Sequence, residues 1–110
     1  MGGFMQPQAH VQHVINLLKH GLDPQASCDM PRIRIGESYG GDGSRDGIVA
    51  VEPGFSEKTL NDLREKGHVV EEVNNSGRGG FGRAQILVKT DTGVLWGGSD
   101  PRADGCSMGY

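Results

Sequence analysis

The chain has 110 residues, a formal net charge of −3, 35% hydrophobic residues and only 5% aromatics. That length allows a single domain, taken here as residues 1–110, with a modest aliphatic core that buries roughly two-thirds of its unfolded surface. The negative balance supplies no basic field for nucleic acid, and no apolar run is long enough for a transmembrane helix.

The nineteen glycines argue for many turns, or for a segment braced by another piece of protein. The N-terminus carries no basic and apolar regions of a signal peptide, and the compartment, periplasmic, secreted or cytoplasmic, stays open. Cys28 and Cys106 are too few for a disulfide framework and match no zinc spacing.

In chain order, His10 to His20 places Val11, Val14, Ile15 and Leu18 at helical spacing, which predicts an amphipathic helix stopped at Gly21. Asp23-Pro24 reads as an N-cap with proline at the first helical position, opening a short helix to about Met30 before Pro31. Ile33 and Ile35 alternate with Arg32 and Arg34, the pattern of a strand with one buried face. Residues 39–47, rich in glycine and aspartate, read as a flexible surface loop, and Ile48 to Val51 as a second strand. Ser56 is the expected N-cap of a helix running to Lys66, with Phe55 and Leu60 placed as a hydrophobic staple and Gly67 as the stop. A strand at His68 to Val73, a glycine-rich loop at Asn75 to Gly82, and strands at Ala84 to Lys89 and Val94 to Gly97 follow. Asp91-Thr92-Gly93 supplies hairpin chemistry between the last two. The sum is an α+β fold with three helices and a mostly antiparallel sheet.

Several patterns invite chemistry and carry little. His10 and His13 stand one helical turn apart without a third ligand nearby, so the reading is polar helix residues and no metal. Asp42, Ser44, Asp46 and Gly47 match the opening of a calcium loop, but Glu52 falls one residue short of the required glutamate position. A stand-alone, calcium-dependent binding module through Asp42 and Asp46 is therefore an alternative of lower rank. Gly77 to Gly82 imitates an RNA-binding arginine-glycine box, yet one copy on an acidic chain reads as a connection whose Phe81 packs inward.

Two stretches carry a resemblance. The terminal Ser99-Asp100-Pro101-Arg102-Ala103-Asp104-Gly105-Cys106-Ser107-Met108-Gly109-Tyr110, and the opening Met1-Gly2-Gly3-Phe4-Met5-Gln6-Pro7-Gln8-Ala9-His10, resemble the C-terminal part of the small subunit of the gamma-glutamyltranspeptidase family. Pro31-Arg32 and the glycine-rich turn ending in Phe81-Gly82 fit the same pattern. The resemblance implies part of an N-terminal nucleophile hydrolase αββα sandwich. The implied activity is that of a gamma-glutamyltransferase or glutathione hydrolase, made as a zymogen. Its nucleophile is a threonine released by self-cleavage and lying upstream of Met1. Thr59, Thr90 and Thr92 sit in helix or turn contexts and do not fit that role.

On this resemblance Gly2 and Gly3 supply backbone amides to an oxyanion, and Phe4 departs from the family pattern, where aspartate is expected. Arg32 and Arg102 are assigned structural tasks. The implied partners are the large subunit, the N-terminal part of the small subunit and a gamma-glutamyl substrate such as glutathione. No cofactor, metal or membrane segment is implied. The chain alone is expected to be inactive, and a related acylase or amidohydrolase of the same fold is the alternative within enzymes.

Overall fold

The computed structural model of the protein describes residues 3–36 and 47–109. In chain order they form α1 (Met5–Leu18), α2 (Pro24–Asp29), β1 (Ile33–Ile35), β2 (Ile48–Val51), α3 (Glu57–Glu65), β3 (Val69–Glu72), a 3₁₀ segment (Asn75–Phe81), β4 (Gln85–Lys89) and β5 (Leu95–Ser99). The chain divides into two units, Met1–Ala9 with Pro31–Gly82, and His10–Met30 with Arg83–Tyr110. The loop expected at 39–47, with the calcium pattern at Asp42, Ser44 and Asp46, lies outside the described residues except for Gly47.

The first unit is built on a three-stranded sheet in the order β1-β2-β3. β1 runs antiparallel to β2, with Ile33 opposite Val51 and Ile35 opposite Val49. β2 and β3 are parallel, Ile48 beside Val69, and α3 makes the crossover that a parallel pair requires. Ser56 caps α3 by accepting from the Thr59 amide at 3.1 Å. The chain leaves the helix through Gly67 at φ 90°. Both faces of β2 are buried. Val49 and Val51 pack with Leu60 of α3, joined by Ile33, Phe55 and Val70. Ala50, on the opposite face, packs with Met5, Ala9 and Phe81.

The second unit rests on the hairpin β4–β5, antiparallel, with Ile86 opposite Gly98 and Val88 opposite Trp96. Its turn closes through Thr90, whose amide donates to the Val94 carbonyl and whose carbonyl accepts from Gly93, both at 2.9 Å. Asp23 caps α2 as expected, its Oδ1 accepting from the Ala26 amide at 2.7 Å. Glycine is required at position 98, because a Cβ there would stand 2.5 Å from the Pro24 carbonyl carbon.

Four sequence expectations need correction. α1 begins at Met5, not His10. Pro7 is tolerated there because first-turn amides have no intrahelical partner to lose. The expected apolar stripe of Val11, Val14, Ile15 and Leu18 is exposed, and Met5, Ala9 and His13 form the buried face instead. The two isoleucines of β1 do not share a buried face: Ile33 packs inward but Ile35 is 53% exposed, and the fully buried side chain is that of Arg32, just before the strand, 2% exposed. The glycine-rich loop is a 3₁₀ helix, although Phe81 does turn inward, fully buried.

Candidate functional site

Of the two glycines that the sequence nominates, Gly3 is described and Gly2 lies outside the described residues. Gly3 is exposed and adopts φ 48°, a left-handed conformation that favours glycine. It stands two residues before α1, and its carbonyl accepts from the Gln6 amide at 3.2 Å. The first turn of the helix holds no acidic side chain, so the positive end of the helix dipole is not neutralised from within that turn. Phe4, the residue between Gly3 and the helix, is 73% exposed.

What holds this turn in place is assembled from the first unit. Met5, the residue after Phe4, is inserted against Phe81 and Ala50. The Gln8 carboxamide donates to the Phe4 carbonyl at 3.2 Å. It also donates to the Ile35 carbonyl at 3.2 Å and accepts from the Ile35 amide at 2.7 Å. Phe81 is fixed in turn. The Arg32 guanidinium donates to the Phe81 carbonyl at 3.1 Å and to the Gly82 carbonyl at 3.2 Å. Arg34 lies over the Phe81 ring, 5.5 Å from its centroid.

Glu52, 1% exposed, accepts from the Arg32 backbone amide at 2.8 Å and from Arg78 Nε at 3.0 Å. A buried carboxylate is stable only when paired and hydrogen-bonded, and here the two arginines of the Pro-Arg strand and the glycine-rich segment meet that need. Three arginines thus converge on the 3₁₀ segment: Arg32 and Arg34 from β1 and its approach, Arg78 from the segment itself.

In the second unit, Arg102 has the structural part expected of it. It donates to Asp100 Oδ1 at 3.0 Å, to the Cys28 carbonyl at 2.8 Å and to the Met30 carbonyl at 3.0 Å. Asp100 Oδ2 accepts from the Ala84 amide at 2.7 Å. His13 Nδ1 and Ser27 Oγ are 3.0 Å apart and both side chains are buried, which makes them core partners; His10 is exposed. Cys28, buried, and Cys106, exposed, are not joined in a disulfide. Thr59 lies in the cap of α3 and Thr90 and Thr92 in the hairpin turn. Among the described residues, no cluster of His, Cys, Asp or Glu could hold a metal ion, and no helix is long and apolar enough to cross a membrane.

Sequence reasoning missed Gln8, Glu52, Arg34 and Arg78. Glu52 had a signal, a lone carboxylate closing the apolar run Ile48 to Val51. Gln8 had none, since its partner is a strand edge twenty-seven residues away.

Comparison with known proteins places this arrangement. The family model for gamma-glutamyltranspeptidase matches residues 1–110. The chain is 34% identical over 108 residues to the glutathione hydrolase-like YwrD proenzyme of Bacillus subtilis (strain 168), covering 98% of this chain and 20% of that protein. It is 33% identical over 110 residues to the oxamate amidohydrolase proenzyme of Klebsiella pneumoniae, covering 100% of this chain and 20% of the other. Among solved structures, cephalosporin acylase from Bacillus halodurans superposes with a TM-score of 0.80 at 39% identity, over 100% of this chain and 19% of that one. The transpeptidase CapD of Bacillus anthracis has the same fold, with a TM-score of 0.77 at 21% identity, over 100% of this chain and 60% of that one. The chain spans about a fifth of the length of the curated relatives it matches. With three α-helices and predominantly antiparallel ladders among the described residues, it is an α+β chain carrying part of the N-terminal nucleophile hydrolase fold. A match along the whole sequence and the likeness in fold lead to one statement: the chain belongs to the gamma-glutamyltranspeptidase family.

Proposed function

We propose that this chain is the C-terminal part of the small subunit of an autoprocessed amide hydrolase, and that Gly2 and Gly3 supply its oxyanion amides. The observation that carries the reading is the turn at Gly3: exposed, left-handed, two residues before α1, and braced by Met5 and Gln8. A threonine exposed by self-cleavage, contributed by the preceding part of the small subunit, attacks the amide carbonyl of a gamma-glutamyl substrate such as glutathione. Its own α-amine takes the hydroxyl proton and passes it to the leaving amine. The glycine amides stabilise the oxyanion as the tetrahedral centre forms, an effect worth about 10²–10³ in rate per donor in well-studied hydrolases. Water or an amino acceptor then releases the acyl group.

A second reading within the same chemistry is an acylase or amidohydrolase with a different acyl group. It is favoured by the 39% identity to a cephalosporin acylase, by the 33% identity to an oxamate amidohydrolase, and by Phe4. An exposed phenyl ring beside the oxyanion turn offers apolar contact where an aspartate would meet the charged amino acid portion of a gamma-glutamyl group.

The test is turnover by the full parent enzyme of gamma-glutamyl-p-nitroanilide, oxamate and an N-acylated cephalosporin. Preference for the first supports the leading reading, preference for either other the second. Turnover of any of them by the 110-residue chain alone would overturn the assignment of the nucleophile to an upstream segment.

A further inference from the structure

The hydrogen-bond register of β1 turns the backbone groups of Ile33 and Ile35 away from β2. The Arg32 carbonyl accepts from the Glu52 amide, and the Gly36 amide donates to the Ile48 carbonyl, both at 3.0 Å. In an antiparallel ladder the intervening odd positions turn their polar groups the other way, so the N–H and C=O of Ile35 point away from β2. Gln8 meets both with one side chain, Oε1 on the amide and Nε2 on the carbonyl. The same Nε2 reaches back to the carbonyl of Phe4. One side chain of the helix therefore ties the strand edge at Ile35 to the carbonyl of Phe4, the residue after Gly3.

We infer that Gln8 is a positioning residue for the oxyanion turn, acting through the Phe4 carbonyl and the edge of β1. This rests on the reading of Gly3 given above and extends it. The Phe4 carbonyl is held by Gln8, the Gly3 carbonyl by the Gln6 amide, and the Met5 side chain by Phe81 and Ala50. With those three points fixed, the Gly3–Phe4 and Phe4–Met5 peptide planes have little freedom, and the turn that carries the Gly3 amide keeps one position. Preorganised donors are effective because they need no reorientation as charge develops, and displacing a group by 1 Å from the reacting atoms costs about 10² in rate. The residue needs both a donor and an acceptor at that reach, which glutamine supplies. Glutamate has the length but no donor for either carbonyl.

The experiment uses the full parent enzyme with its best substrate among the three amides, comparing the wild type with Gln8→Ala, Gln8→Met and Gln8→Glu. Gln8→Met keeps length and helix propensity and guards against a loss that is only one of folding. Steady-state kinetics are measured on protein matched for thermal midpoint, alongside amide hydrogen exchange in peptides covering residues 33–36. We expect kcat to fall about 10- to 100-fold in all three variants with KM within about threefold, and the Ile35 amide to exchange faster in Gln8→Ala and Gln8→Met, the two that lose the acceptor for it. Exchange that rises while kcat stays at the wild-type value would overturn the inference, leaving Gln8 as an edge cap alone. So would unchanged exchange at Ile35 in those two variants. A wild-type enzyme that turns over none of the three substrates would instead overturn the underlying reading, and this inference with it.

Discussion

The carboxamide of Gln25 stands against Ser99 as a neighbouring strand would, its Nε2 donating to the Ser99 carbonyl at 2.9 Å and its Oε1 accepting from the Ser99 amide at 3.0 Å. Ser99 faces the outer edge of β5, because the ladder bond next to it runs from the Asp100 amide to the Ala84 carbonyl. Gln8 treats Ile35 in the same way in the other unit. Each unit thus uses one helical glutamine to satisfy both polar groups of one edge residue. An open strand edge is a template for unwanted pairing, and a side-chain amide covers it without adding a strand.

Gln25→Ala should lower the unfolding free energy by about 1–2 kcal/mol, since two backbone partners are left to water or to nothing. The loss includes a third bond, from Nε2 to Asp29 Oδ1 at 2.9 Å. Gln25→Glu should do no better, because a carboxylate would oppose both the Ser99 carbonyl and Asp29. Urea unfolding of the three proteins checks this; a Gln25→Glu variant as stable as wild type would show that the bond to Ser99 contributes nothing.

Much of the local structure was legible in the chain because it depends on neighbours in sequence. Asp23 and Ser56 cap their helices as read, since a cap needs only a short polar side chain and the amide three residues on. Phe81 turns inward as expected, being the one large apolar residue in a glycine-rich stretch. What failed depended on distant partners. The face of α1 was misassigned because Val11, Val14, Ile15 and Leu18 have the right period, while the face that is buried mixes Met5, Ala9 and His13. The buried Arg32 could not be foreseen from alternation, since its burial is justified by carbonyls at Phe81 and Gly82. Gln8 and Gln25 were invisible for the same reason: their function lies in a strand edge elsewhere.

Gly98→Ala tests the seat of α2 on the hairpin. The added Cβ would approach the Pro24 carbonyl carbon to 2.5 Å and the Gln25 amide nitrogen to 2.6 Å, and these are backbone atoms that can yield only by moving the helix. The expected cost is about 1–3 kcal/mol. Gly79→Ala is the control, with no atom within 4 Å of its added Cβ; it should shift stability by less than about 0.5 kcal/mol. Equal behaviour of the two in thermal unfolding would contradict the packing described.

Arg102→Ala should be far more damaging than a surface charge change. The Arg102 and Asp100 side chains are 1% and 0% exposed, and removing the guanidinium leaves the carboxylate buried beside one fewer partner. Losing one member of such a pair typically costs about 3–5 kcal/mol. Arg102→Lys should recover little, because a single ammonium does not reproduce a fork that reaches Asp100, the Cys28 carbonyl and the Met30 carbonyl together. A lysine variant with wild-type stability would mean that charge alone, not the fork, ties the terminal segment down.

The rotation of α1 about its axis can be read from two truncations. Met5 is 1% exposed and packs with Ala9, Ala50 and Phe81, whereas Val14 is 52% exposed. Met5→Ala removes buried methylenes and the sulfur and leaves a cavity, with an expected loss of about 2–5 kcal/mol. Val14→Ala removes two methyls from the open face and replaces a β-branched residue by the best helix former, so a change within about 0.5 kcal/mol of either sign is expected. Comparable losses for the two would place the valine stripe inward after all. The helix would then have to turn Met5 away from Phe81, and with it the hold on the peptide after Gly3.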